Sequence, residues 1–211
     1  MAAPVNQLKS TNSVTRIQRK NIDLILNAAL ETFSSHGYNG TTLDEISIKS
    51  GLSKPNILYY FKSKKDIHVT LLNNLLDNWL KPLKELNSAG DPVSEITNYV
   101  QKKLDMAHKF PRESRLFAME ILQGANHMKN FIESDLKALV EQKSNVINNW
   151  VVQGLIAKVD PLHLIFSIWA TTQHYSDFEE QIKLISGEQS FNADNRASKH
   201  LKEMYTRLLR L

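Results

Sequence analysis

Within the stretch GLSKPNILYYFKSKKD, residues 51–66, the side chains are of the kinds that read nucleic acid. Lys54 can donate to guanine O6/N7 or to a phosphate, and Asn56 can pair with adenine. Leu58, leaning outward, would touch a thymine methyl. Tyr59 and Tyr60 are long, stiff and tipped with a hydroxyl, which suits phosphate oxygens. They cannot both face one core from a helix, so at least one must point outward. Lys62, Lys64 and Lys65 fall at the start of the next helix, where lysine opposes the macrodipole unless an anion docks on the free amides. Thr41 and Thr42 offer hydroxyls nearby, and Arg16, Arg19 and Lys20 on an N-terminal arm would track the DNA backbone. The bland alternative is a solvated basic face with the tyrosines half-packed on a neighbouring helix.

A second constellation lies in FSIWATTQHYSDF, residues 166–178. Trp169, Thr172 and Gln173, at i, i+3 and i+4, share a helix face. Helix-bundle pockets are mostly apolar with a few orienting polar groups. Trp169 would cover a flat ligand, Gln173 would offer it a donor and an acceptor, and Arg115 would donate to a carbonyl. Trp79 is placed in the same cavity. Against this, tryptophan at helical spacing commonly belongs to a core, and a buried glutamine commonly satisfies backbone.

Nothing in the chain reads as catalytic. Its seven histidines (36, 68, 108, 127, 163, 174 and 200) show neither His-Glu-x-x-His spacing nor a close pairing with carboxylates. No glycine loop is built to cradle phosphate. No metal, cofactor or catalytic residue is expected. With no cysteine, disulfides and thiolate metal sites are excluded.

Charge divides the chain. Residues 1–67 carry nine Lys or Arg against five Asp or Glu, whereas the remainder holds 17 of each sign. The whole net charge of +4 therefore sits in the first third, as for a polyanion-binding module joined to a neutral one. No apolar run approaches the roughly 20 residues of a membrane span, and the first twenty residues lack a signal-peptide apolar region. A cytoplasmic location and no membrane partner are the expectation.

The elements that must position these residues are helical. Ile22, Ile25, Leu26, Ala29 and Phe33 make one stripe, ended by HGYNG at 36–40. Thr42 and Glu45 have capping-box spacing for a helix over about 43–50, and Gly51 supplies left-handed backbone at its end. Ser53 caps a third helix with Pro55 in its first turn; Ile46, Leu52, Ile57 and Phe61 close the small core. Ser63 and Asp66 start a fourth, apolar through Ile67, Leu71, Leu75 and Trp79. Breaks at 87–92, 110–114, 124–126, 154–161 and 186–190 divide the rest into roughly six helices. The last carries Leu201, Met204, Leu208 and Leu211 as one apolar stripe. The pattern is all-α, with a helix-turn-helix over 42–61.

The segment GYNGTTLDEISIKSGLSKPNILYYFKSKKDI, residues 37–67, resembles the N-terminal domain of TetR-family transcriptional regulators. Gly-Tyr-x-Gly-Thr-Thr, Gly-hydrophobic-Ser and a tyrosine-rich helix ending in Phe carry the likeness. Ser47 and Ser50 stand where that family usually has alanine, small enough to keep the packing. LFAMEILQGA (116–125), DLKALVEQKSNVINNWV (135–151) and DPLHLIFSIWATTQHYSDF (160–178) extend it to the pyrimidine-utilisation branch.

Residues 1–15, rich in Ser, Thr, Asn and Gln and without an apolar period, are expected to be a mobile arm; the resemblance implies a three-helix helix-turn-helix DNA-binding domain (16–66) and a helical-bundle ligand-binding and dimerisation domain (67–211). It also implies a homodimer through helices at 160–177 and 191–210, a near-palindromic double-stranded DNA operator, and a small-molecule effector such as uracil or thymine. The donor and acceptor of Gln173 match a pyrimidine imide edge. The alternatives are a regulator of the same fold sensing an apolar compound or nothing, and a basic helical scaffold binding a protein or membrane surface.

Overall fold

In the computed structural model, residues 15–187 and 195–211 are described, and no strand occurs among them. The proposed arm, apart from Thr15, lies outside the described residues, as do 188–194 at the start of the expected last helix. Thr15 caps α1 (Arg16–Gly40) with Gln18 in a reciprocal box. Ile25, Ala29 and Phe33 on its inner stripe are fully buried. Gly37 adopts φ 68°, ψ 177° and bends the end of α1. That left-handed φ is what calls for glycine, since a Cβ would meet only the movable amide end of Gln123, at 2.6 Å.

The helix-turn-helix follows from its caps. Thr42 and Glu45 close both arms of a box on α2 (Leu43–Ser50). Gly51, at φ 69°, ends α2 and returns its N–H to Ile48 O. Ser53 Oγ accepts from Asn56 N to start α3 (Lys54–Tyr60). At α4 (Lys64–Trp79), Ser63 accepts from Asp66 N, while the Asp66 carboxylate reaches back to the Lys62 amide. Ile46, Ile57 and Phe61 are buried and Leu52 half-buried. Each such side chain contributes about 1.5–3 kcal/mol by leaving water.

Beyond α4 come α5 (Lys81–Lys84), α6 (Pro92–Lys109), α7 (Pro111–Leu122) and α8 (Lys129–Phe131). A π-helical turn at Ile132–Leu136 leads into α9 (Lys137–Val152), then α10 (Pro161–Asp177), α11 (Glu179–Ser186) and α12 (Arg196–Leu209). Helix α6 packs on α10 and α12, and α10 also touches α7 and α9. Lys143 of α9 donates to Lys84 O and Leu86 O, satisfying carbonyls at the C-terminal end of α5.

Two hydrophobic cores result. One gathers Ile25, Phe33, Ile46, Ile57, Ile67 and Leu72 with Leu116 and Met128. The other gathers Leu83, Ile96, Leu104, Ile147, Trp150, Ile168 and Tyr205. The first core thus draws in α4 and α7, so the head meets the bundle across a packed seam.

The expected stripe on the last helix is divided. Ala197, Leu201, Tyr205 and Leu209, spaced by four, are the buried face. Met204 is half-buried, Leu208 is 48% exposed and Leu211 is 87% exposed. Both rows share Leu201, and packing on α6 buries the side of the helix that carries Tyr205 and Leu209.

Candidate nucleic-acid interface and effector cavity

Ile57 and Phe61 pin α3 to the head and leave Lys54, Leu58 and Tyr59 outward, Tyr59 at 73% exposure. Tyr60 turns the other way. Its hydroxyl accepts from Asn21 Nδ2 at 3.0 Å, and its ring meets the Tyr59 ring edge to face at 5.0 Å. Lys54 pairs with Asp44 at 3.0 Å, but both are exposed, so the ion pair is weak and exchangeable for a phosphate. Asn56 is half-buried.

Two further expected contacts, besides Tyr60, face inward instead. Thr41 is fully buried and donates to Gly37 O, closing the bend of α1. Lys64 donates to Tyr38 O and Thr41 O at 2.8 and 2.7 Å and lies over the Tyr38 ring. Those carbonyls explain a lysine at the start of α4 without any anion. Arg16 and Arg19 sit on the first turn of α1 rather than on an arm, and both are exposed. Thr42 is exposed but engaged with Glu45 Oε2. Its amide and hydroxyl hold the Glu45 carboxyl below its usual pKa. The outward set is therefore Arg16, Arg19, Thr42, Lys54, Tyr59, Lys62 and Lys65.

Farther down, a cavity of about 30 Å³ opens where α4, α6, α7 and α10 meet. Leu76, Leu80, Phe117 and Leu136 form apolar walls around the rings of Trp79 and Trp169. Its polar groups are Tyr99, Lys103 and Gln173. Trp169 donates to the Tyr99 hydroxyl at 2.6 Å, which fixes the indole. Burial holds Tyr99 protonated well above the usual phenol range, though Trp169 counteracts it. Trp79 Nε1 is buried with no hydrogen-bond partner. Such an orphan donor costs about 1–3 kcal/mol unless a ligand or water meets it.

Lys103 is 2% exposed, and its ammonium lies 4.3 Å from the Trp79 ring centroid. Burial lowers its pKa to about 7, against the weaker pull of Asp177. Trp79, Trp169 and Gln173 thus share one cavity. Thr172 and Arg115 do not line it: Thr172 is fully buried and bonds to Ile168 O within its own helix, while Arg115 faces Glu179 at 3.7 Å.

Lys103 and Tyr99 were not singled out from sequence, although their i, i+4 spacing on α6 places both on one face. The fold also joins His68, Glu120 and His127, which no local spacing relates.

Two family models match the chain. Residues 25–69 match the bacterial regulatory proteins of the tetR family, and residues 72–211 match the C-terminal region of YcdC-like proteins. The HTH-type transcriptional regulator RutR of Escherichia coli (strain K12) is 43% identical over 180 residues, covering 85% of each chain. The HTH-type transcriptional regulator QacR of Staphylococcus aureus (strain Mu50 / ATCC 700699) is 26% identical over 172 residues, 78% of this chain and 92% of that one. Among solved structures, AibR in complex with isovaleryl coenzyme A and operator DNA superposes with a TM-score of 0.70 at 18% identity. That match covers 87% of this chain and 97% of AibR, and speaks to fold alone.

Proposed function

This chain belongs to the TetR family of transcriptional regulators, in the branch of RutR, and we propose that it binds a near-palindromic operator as a homodimer whose DNA affinity a pyrimidine such as uracil or thymine modulates. It is a DNA-binding regulator and not an enzyme, as its relatives are. No helix among the described residues is long and apolar enough to cross a membrane.

The observation that carries the pyrimidine is the polar equipment of the cavity. Lys103 and Gln173 line it beside Trp79, whose Nε1 is buried without a hydrogen-bond partner, and Gln173 adds an amide donor and a carbonyl acceptor. An imide, with two carbonyls flanking one N–H, complements such a set, and the Trp169 ring offers a flat wall for its ring. A cavity of about 30 Å³ must widen to admit that ring. Leu136, in the π-helical turn, is the wall placed where the helix is already irregular.

Helix α4 is the lever of this reading. Lys65 lies at its DNA end and Trp79 at its cavity end, so a ligand that shifts Trp79 loads the helix that carries the head. Dimerisation uses the outer faces of α10 and α12, where Leu162, Phe166 and Leu208 are 41–48% exposed. Two copies would set their recognition helices about one DNA turn, roughly 34–36 Å, apart.

A second reading keeps the regulator and changes the effector. A larger cavity of about 160 Å³ shares Trp79; Leu30, Leu71, Leu75, Met106, Phe110 and Leu116 make most of its wall, with Asn74, Asn78 and Glu113 as its polar groups, a lining suited to a mainly apolar compound. Selecting sites from a randomised DNA pool and titrating the best with uracil and thymine separates the two. A palindrome whose affinity shifts with pyrimidine supports the proposal. A palindrome indifferent to both removes the pyrimidine and leaves the apolar effector.

A further inference from the structure

Three side chains able to ligate a metal converge behind the DNA-reading helices, from separate parts of the chain. His68 lies near the start of α4, Glu120 in the last turn of α7, and His127 in the loop after α7. His68 Nε2 is 2.9 Å from Glu120 Oε2. His127 Nδ1 is 3.1 Å from the same oxygen and 3.3 Å from Oε1. The available ligand atoms all lie within 4.8 Å of one another. Around a tetrahedral Zn²⁺ with bonds of about 2.0–2.2 Å, neighbouring ligand atoms stand about 3.3–3.6 Å apart. The two imidazole nitrogens must each draw back from Glu120 Oε2 by a few tenths of an ångström, on the order of that difference, while the widest pair of ligand atoms, within 4.8 Å, must close by up to about an ångström to share one coordination sphere.

The surroundings fit a cation as well as the spacing does. The side chains of His68 and Glu120 are 1% and 2% exposed, and that of His127 is 12% exposed, which leaves one side open for entry. Burial pushes the Glu120 carboxyl up, but the His127 amide and both imidazoles outweigh it and hold the group ionised. Burial likewise pushes His68 below its ordinary pKa, against the pull of Glu120.

The second, independent observation is His68 Nδ1, which is buried without a hydrogen-bond partner. With Nε2–H donated to Glu120, Nδ1 is a bare lone pair in a wall made of the Phe33 and Tyr38 rings, whose centroids lie 4.6 and 4.9 Å from the imidazole. If Nε2 instead gives its lone pair to a cation, the ring proton moves to Nδ1. An N–H among aromatic rings is the better-matched arrangement.

We propose that His68, Glu120 and His127 bind one divalent transition-metal ion of the Zn²⁺ class, with a fourth position open to water or an external ligand. Two nitrogens and one carboxylate suit Zn²⁺ and its first-row neighbours. Mg²⁺ and Ca²⁺, which want six or more oxygens, do not fit. The site would tie α4 of the head to α7 and its following loop across the packed seam.

The test uses the full chain, stripped with a chelator, dialysed and titrated with zinc chloride against a chromophoric competitor. One ion per chain is expected, Co²⁺ should give the intense visible bands of four-coordination, and magnesium chloride should give no uptake. Glu120→Gln and His127→Ala should each weaken Zn²⁺ by more than about 100-fold, beyond the 10–100-fold that loss of an outer-sphere partner produces. His36→Ala, at an exposed histidine outside the cluster, should leave uptake unchanged. His127 lies in a loop, so His127→Ala keeps the test valid if thermal melting shows Glu120→Gln to be unfolded. No uptake tighter than that of Mg²⁺ would overturn the proposal, leaving a hydrogen-bonded triad. So would stoichiometric uptake that survives the substitution in a folded variant.

Discussion

The Lys103 ammonium stands 4.3 Å from the centroid of the Trp79 ring, in the wall of the smaller cavity. The ring face is the cation's close neighbour, and the indole N–H on that same ring is itself unpaired. Folding thus leaves one indole donor unpaired beside a buried cation.

Lys103 predicts a pH signature. Its pKa falls from 10.5 to about 7 on folding, because burial penalises the charge. Between those values the unfolded chain holds the proton and the folded chain releases it, so stability rises with pH across that window. Below about pH 7 both states carry the charge and the folded state bears the full penalty, a few kcal/mol at about 1.36 per pKa unit. Lys103→Met should thus melt higher than wild type at pH 6 and lack the rise between pH 7 and 10. It should also lose its response to pyrimidine. Calorimetric melts at several pH values check the first, and operator titrations the second.

The two tyrosines of α3 should separate stability from DNA binding. Tyr59 is exposed, so Tyr59→Ala should leave the melting temperature nearly unchanged and weaken operator binding. Tyr60→Phe removes the hydroxyl that accepts from Asn21 and should cost about 0.5–1.5 kcal/mol of stability. Thermal melts beside fluorescence anisotropy on one operator would show the crossing pattern.

Gly51 tests the turn. At φ 69° it has nothing within 4 Å of a Cβ position, so Gly51→Ala meets no clash. The cost is the left-handed backbone alone, about 1–2 kcal/mol, or a fall of about 2–8 °C in melting temperature for a chain this size. Urea unfolding measures it directly.

Leu208 and Phe166 lie on the outer faces assigned to the dimer, at 48% and 43% exposure. Phe166→Arg with Leu208→Arg should leave each chain folded, yield monomers in sedimentation, and cut affinity for a two-half-site operator far more than for a half-site. A double variant that stays dimeric would move the interface elsewhere.

What was legible in the sequence was local. Thr42 and Glu45, Gly51, and Ser53 with Pro55 act on amides within a few residues, so their types and spacing already state the structure. The outward reach of Tyr59 followed from helix geometry in the same way. Lys64 was misread as a phosphate donor because its acceptor carbonyls come from Tyr38 and Thr41, 26 and 23 residues back. Thr41 turned inward for the bend at Gly37. Arg115 and Thr172 had suitable chemistry but lay on the wrong side of their helices, and only the packing of α7 and α10 decides that. Lys103 escaped notice because a lysine in a charged run reads as surface until the bundle closes over it. His68, Glu120 and His127 share no local pattern, and it is the packing of α1 and α4 against α7 that assembles them.

The most direct test is uracil affinity measured by calorimetry, with the free protein and with the protein saturated by its selected operator. A ligand that modulates DNA binding must bind the two states unequally, and the ratio of its two affinities equals the ratio by which it changes operator affinity. The account predicts uracil binding to the free protein, with at least a fivefold difference once the operator is bound. Equal affinities, or no uracil binding at all, would contradict it.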